Sequence, residues 1–151
     1  MRPSAGDFDS FFHEVEPRLR RAYGARVAPQ RVGDAVGAAL EFAWKNWERV
    51  ASMEYPVAYL YRVGLSKSRR RKQGLLPAPP PSEVADVEPA LVTAMQRLSR
   101  RQREVLWLVD GCDWTPTEAA DALGLSVSAL RTHRTRGLDR LRQRLGVKTD
   151  A

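Results

Sequence analysis

Arg131, Thr132, Arg134, Thr135 and Arg136 crowd into one short stretch near the carboxy end of the chain. Arginine presents a planar fork that pairs bidentately with guanine, and threonine reaches either a base edge or a phosphate. They form a set suited to reading duplex DNA. A second set lies upstream. Tyr55, Tyr59 and Tyr61 are followed by the run Lys67-Ser68-Arg69-Arg70-Arg71-Lys72. Rings stack on unpaired bases and cations hold phosphates, which is the chemistry of single-strand binding. Tyr61 also suits a core position. Either cationic set can be merely a solvated helix face, so the elements that carry them decide.

The first set sits on the second of two helices joined by a tight turn, within TPTEAADALGLSVSALRTHRTRGLDRLRQRL, residues 115–145. Thr115 caps the first helix, Pro116 suits its first position, and Glu118 completes a capping box. Ala119, Ala120 and Leu123 form a small apolar face. Gly124 supplies the left-handed turn, Leu125 plugs the corner, and Ser126 caps the second helix. Val127, Leu130, Leu138, Leu141 and Leu145 give that helix its core stripe. A short helix, a glycine turn and a second helix armed with arginines and hydroxyls is a helix-turn-helix layout, whose second helix enters the major groove.

Upstream, Phe8, Phe11, Phe12, Val15 and Leu19 predict a helix over 8–23, kinked or divided by Pro17. A loop over 25–31 precedes a long helix, about Val32 to Val50, with Ala35, Val36, Ala39, Leu40, Ala43, Trp47 and Val50 as its stripe. Trp44 extends the stripe to one side, as core or as an exposed docking residue. Residues 48–56 read as a loop, and a third helix runs from Pro56 to about Lys72. Residues 74–89, with five prolines, form an extended linker. Residues 90–98 predict a helix. Ser99 and Gln102 resemble a capping box opening another, with Val105, Leu106, Leu108 and Val109 inward and Asp110-Gly111 as its end. The fold class is therefore all-α: a three-helix module over 8–73, a Pro-rich acidic linker over 74–89, and a four-helix module over 90–146.

Charge follows this division. The chain has 151 residues and a net charge of +7. Residues 1–73 hold 14 basic and 8 acidic residues, residues 74–89 hold three acidic and no basic, and residues 90–151 hold 11 basic and 7 acidic. Two basic modules flank an acidic connector, which favours nucleic acid or another anionic partner. No apolar run approaches the roughly 18 residues of a membrane span, and the first residues lack the apolar core of a secretory signal. With one cysteine, Cys112, no internal disulfide forms. These features suit the cytoplasm. Two histidines, one cysteine and no Gly-rich phosphate loop leave nothing for a metal site, a cofactor or a catalytic set. The expectation is a non-enzyme with no cofactor.

Two basic helical modules on a Pro-rich tether resemble the bacterial sigma factors of the sigma-70 family, specifically the small extracytoplasmic-function (ECF) group. The segment LSRRQREVLWLVDGCDWTPTEAADALGLSVSALRTHRTRGLDRLR is closely similar to the family's promoter −35 reader. DAVGAALEFAWKNW and PVAYLYRVGLSKSRRRK are similar, more loosely, to its core-binding and promoter-melting helices. The resemblance implies a dissociable subunit of RNA polymerase, cytoplasmic and nucleoid-associated, whose partners are the polymerase core, promoter DNA and an anti-sigma factor. It implies −35 contacts from Ser128, Arg131, Thr132, His133, Arg134, Thr135 and Arg136. It implies −10 contacts from Tyr55, Tyr59, Arg62, Lys67, Arg69 and Arg70, and polymerase contacts from Asp34, Leu40, Glu41 and Trp44. The chain departs from the family at Gly37 and Ala38, where a Gln-Glu pair is usual. It also departs at Ser66 and Arg70, which stand nearest the usual Asn and Asp, and at Arg134, where an apolar residue is usual. Two other readings stay open: a sigma-like decoy that binds a partner without melting promoters, and a simple helix-turn-helix regulator.

Overall fold

A computed structural model describes residues 5–70 and 89–146. The described residues are helical, with no strand among them, and divide into two compact units. Most of the 74–89 linker and the end of the Lys67–Lys72 run lie outside the described residues.

The first unit contains α1 (Ala5–Ala22), a short 3-10 turn (Tyr23–Ala25), α2 (Pro29–Lys45), α3 (Trp47–Ala51) and α4 (Pro56–Arg70). It differs from the three-helix expectation in three places. α1 runs through Pro17 as one helix. Pro17 and His13, whose carbonyl it leaves without a helical partner, are both exposed, so water can replace the lost bond. α2 begins at Pro29, three residues before the expected start, because proline fits the first helical turn. The long helix then breaks at Asn46. Its side-chain amide and its backbone N–H both donate to the Phe42 carbonyl at 3.0 Å, closing the helix end and leaving α3 as a separate turn and a half.

The core of this unit forms where α2 and α4 cross. Ala35, Ala39 and Ala43 are fully buried and let the two helices approach. Tyr23 stacks on Tyr61, ring centroids 5.1 Å apart, so Tyr61 is a core residue. The Tyr23 hydroxyl lies within donating distance of the carbonyls of Leu60, at 3.2 Å, and Tyr61, at 3.1 Å. Burial and, secondarily, the neighbouring Tyr61 push its pKa far up, so it remains a neutral donor. Gly64 is the residue that permits this. A Cβ there would overlap the Tyr23 hydroxyl and come within 2.7 Å of the Ala35 carbonyl oxygen.

The second unit contains α5 (Pro89–Gln96), α6 (Arg100–Leu106), a π-helical turn (Trp107–Gly111), α7 (Pro116–Leu123) and α8 (Val127–Leu145). The Ser99–Gln102 capping box has both halves in place. Val105, Leu106 and Leu108 are buried as expected. The end of this element is not a simple stop at Asp110-Gly111. The chain widens into the π turn, and Asp113 takes a left-handed conformation at φ 58°, which Asp tolerates better than most residues. That turn folds Trp114 into the core, its backbone N–H donating to the Leu108 carbonyl at 2.9 Å.

The two glycine environments predict opposite responses to one substitution. Gly64→Ala should lower stability by about 1–3 kcal/mol through overpacking. Gly37→Ala, on an exposed helical face where an added Cβ meets nothing within 4 Å, should raise it by roughly 0.5–1 kcal/mol. Urea-unfolding midpoints of the two variants should move in opposite directions.

Candidate nucleic-acid interface

The recognition helix α8 is set by its caps and by one close approach. Thr115 Oγ1 accepts the Glu118 N–H at 3.1 Å and opens α7 at Pro116. Gly124 turns the chain with φ 67°. Ser126 Oγ accepts the Ala129 N–H at 3.0 Å and opens α8. Leu130 is fully buried, and seven residues on so is Gly137. A Cβ at Gly137 would meet Leu106 Cδ1 at 3.0 Å, so glycine lets α8 lie directly against α6. The sequence reading passed over Gly137. Its signal was a small residue inside an arginine-rich helix, in register with Leu130. Val127, Leu138, Leu141 and Leu145 are only half-buried, so the helix leans on the module along a narrow stripe.

With Leu130 and Gly137 turned inward, the opposite face is fixed. Ser128, Arg131, Thr132, Thr135 and Arg136 are all exposed and, with Val127, line one shallow surface. Their spacing of three and four residues is that of a single helical face. Thr132 Oγ1 donates to the Ser128 carbonyl at 3.2 Å, which orders its hydroxyl. Arginines and hydroxyls on one face of a helix, clear of the core, can lie along a duplex groove and contact bases and phosphates.

His133 and Arg134 lie off that face and are half-buried. Arg134 is committed within the module. Its Nε donates to Asp110 Oδ2 at 3.0 Å and its Nη2 to Oδ1 at 2.7 Å. The hydrogen bond to Asp110 raises the Arg134 pKa; burial opposes the shift and the Asp110 charge reinforces it. This bidentate pair ties α8 to the π turn, and it accounts for an arginine at a position read from sequence as unusual. The Arg134 side chain, expected at the groove, is here engaged with Asp110 within the module.

In the first unit the aromatic–cation set is partly assembled. Tyr59 is half-buried, with its ring 5.8 Å from Phe42. The Arg62 guanidinium lies 5.7 Å from the Tyr59 ring centre, and Lys67 Nζ lies 5.4 Å from that of Phe42. Tyr55 stands just before α4, its carbonyl accepting the Tyr59 N–H at 3.2 Å. Arg69 and Arg70 end α4; their side chains fall outside the description. Sequence reading missed Phe42, and also Arg49, which it placed in a loop.

Of the four residues expected to touch the polymerase, Leu40, Glu41 and Trp44 line one groove between α1 and α2. Phe8, Phe12, Gly33, Gly37, Leu40, Glu41 and Trp44 border it. Trp44 is 56% exposed and packs edge-on against Phe8 at 4.9 Å, while Trp47 sits between Phe8 and Phe11. Leu40 is only 6% exposed and forms the groove floor, so its part is to shape the groove. Asp34 is exposed nearby on α2. Gly37 leaves the groove open, and Ala38 is buried. A Gln-Glu pair at these positions would fill the groove at one place and bury a carboxylate at the other.

The helix-turn-helix and the face it presents define a DNA-binding protein. The family model of sigma-70, region 4, matches residues 89–141. Two solved structures have the same fold across nearly the whole chain. The sigma factor RpoE from Bartonella quintana, solved with the anti-sigma factor NepR, is 21% identical with a TM-score of 0.72, over 96% of this chain and 100% of that one. CnrH, solved with the cytosolic domain of CnrY, is 25% identical with a TM-score of 0.69, over 97% of this chain and 92% of that one. No curated protein sequence matches the chain. Residues 89–141 are thus a sigma-70 region 4 segment, and the chain as a whole shares the fold of these two proteins. No described helix is long and apolar enough to cross a membrane.

Arg134→Ala and Asp110→Ala should each weaken binding of duplex −35 DNA by a similar factor, and the exchange Asp110→Arg with Arg134→Asp should recover most of the loss. Fluorescence anisotropy on a labelled duplex reads this. A phosphate-contacting Arg134 would instead leave the exchanged protein as weak as Arg134→Ala.

Proposed function

We propose that this protein is an alternative sigma factor: it binds the RNA polymerase core and directs it to a particular class of promoter. The observation that carries the proposal is the exposed face of Ser128, Arg131, Thr132, Thr135 and Arg136, on the second helix of a helix-turn-helix inside the segment that matches sigma-70 region 4. That face takes the −35 element in the major groove. The first unit takes the −10 element, with Tyr59, Arg62 and Lys67 toward the melted strand and Tyr55, Arg69 and Arg70 flanking them. The α1/α2 groove, with Trp44 and Glu41 at its edge and Leu40 beneath, takes the polymerase core, together with the exposed Asp34 of α2. Residues 8–73 and 90–146 are the two working modules, and 74–89 is the tether that lets them reach separate elements.

The chemistry of transcription belongs to the polymerase; this chain supplies placement and strand separation and has no catalytic residue or cofactor. Its place of work is the cytoplasm, on the nucleoid. The relatives solved with NepR and CnrY suggest that an anti-sigma factor holds this chain in reserve. Binding to DNA should weaken linearly in log–log form with salt, because phosphate contacts release counterions.

Run-off transcription with purified core polymerase tests the proposal. Core plus this protein should produce a defined transcript from a cognate promoter, and Gly37→Leu, which fills the open groove, should abolish it while leaving duplex −35 binding unchanged. Tight core binding without any transcript would favour the decoy reading.

A further inference from the structure

We infer that Arg49 belongs to the single-strand surface as a phosphate-binding residue, held in place by the Tyr59 hydroxyl. The inference rests on the sigma-factor reading and adds a residue that neither the sequence motifs nor the family resemblance singled out.

Arg49 is carried by α3, the short helix created when the chain breaks at Asn46. In that helix Val50 is buried and Arg49 is exposed, so the side chain is directed by the packing of its neighbour. Arg49 Nη2 donates to the Tyr59 hydroxyl at 3.1 Å, and its guanidinium carbon lies 5.4 Å from the Tyr59 ring centre. Arg62 approaches the same ring at 5.7 Å. Two guanidiniums therefore share one phenol. Through Phe42, 5.8 Å from Tyr59, the patch continues to Lys67. Three cations and two rings from α2, α3 and α4 make one continuous surface.

What separates Arg49 from an ordinary solvated arginine is its partner. Among the described residues its side chain is held by a neutral phenol and by no carboxylate. Compare Arg20 with Glu16 and Lys45 with Glu41, whose charges are matched within their own helices. A phenol orders the guanidinium without neutralising it. Of five N–H donors, one is used, and the rest of the fork keeps the geometry that suits a phosphate. An ordered, unneutralised guanidinium next to a half-buried ring fits the backbone of a single strand whose bases lie against the aromatic side.

The test compares wild type with Arg49→Ala, Arg49→Lys and Tyr59→Phe, each full chain bound to core polymerase, on promoter DNA with a pre-melted −10 bubble. The affinity is followed from low to high salt. Arg49→Ala should bind about fivefold more weakly at 0.1 M salt, and its log–log salt slope should be shallower by about 0.7, the value for one phosphate contact on a single strand. Arg49→Lys should keep the wild-type slope. Tyr59→Phe should weaken binding at unchanged slope, because the guanidinium remains but is less ordered. Core binding and thermal midpoint should stay at wild-type values for Arg49→Ala. An Arg49→Ala slope equal to wild type, on DNA that wild type binds, overturns the inference and leaves the sigma-factor reading intact. Failure of the wild-type complex to bind the bubble overturns that reading, and this inference with it.

Discussion

Each module is a small set of helices with no sheet to lean on, so each helix must bury one face against its neighbours. The face left over is the one that can work. The contact between Gly137 and Leu106 shows this constraint at the recognition helix. Glycine at 137, where a Cβ would meet Leu106 Cδ1 at 3.0 Å, lets α8 lie directly against α6 in this setting. That setting turns Ser128, Arg131, Thr132, Thr135 and Arg136 outward together. The same logic holds in the first unit. Burying Ala35, Ala39, Leu40 and Ala43 leaves Gly33, Gly37, Glu41 and Trp44 along the open groove. Neither face was built independently of the core; each is its complement.

Electrostatics refine that division. Not every arginine on a recognition helix faces the solute. Arg134 is held by both oxygens of Asp110 and spends its fork on the protein, while Arg131 and Arg136 remain exposed. Partly exposed ion pairs contribute little on average, yet bidentate geometry is the favourable case. The brace joins α8 to the π turn, two elements that the leucine stripe alone holds loosely. Arg49 is the reverse case, an arginine ordered by a neutral partner and left with its charge.

How far the sequence revealed this depended on whether the signal was local. The helix-turn-helix was legible because Thr115, Gly124 and Ser126 each act on the backbone within a few residues, and all three do so. The capping box at Ser99 was legible for the same reason. Pro17 misled, since the cost of a proline depends on whether water reaches the carbonyl it abandons, and that is a tertiary fact. Asn46 was read as helix interior, although its amide folds back on Phe42 and ends the helix. Phe42 and Arg49 were invisible as site residues because their roles come from neighbours on other helices, whereas Gly137 left only the weak signal of a small residue in register with Leu130. The π turn and the left-handed Asp113 bring in Trp114 by geometry that no periodicity announces.

On the proposed function, two helical faces on one chain position and open promoter DNA for a polymerase. Permanganate mapping of unpaired thymines, on a cognate promoter with core polymerase and this protein, tests it most directly. Reactive thymines confined to the −10 element and the start site, dependent on both this protein and an intact −35 element, are the expected result. A complex that occupies the promoter while every thymine stays unreactive would contradict it.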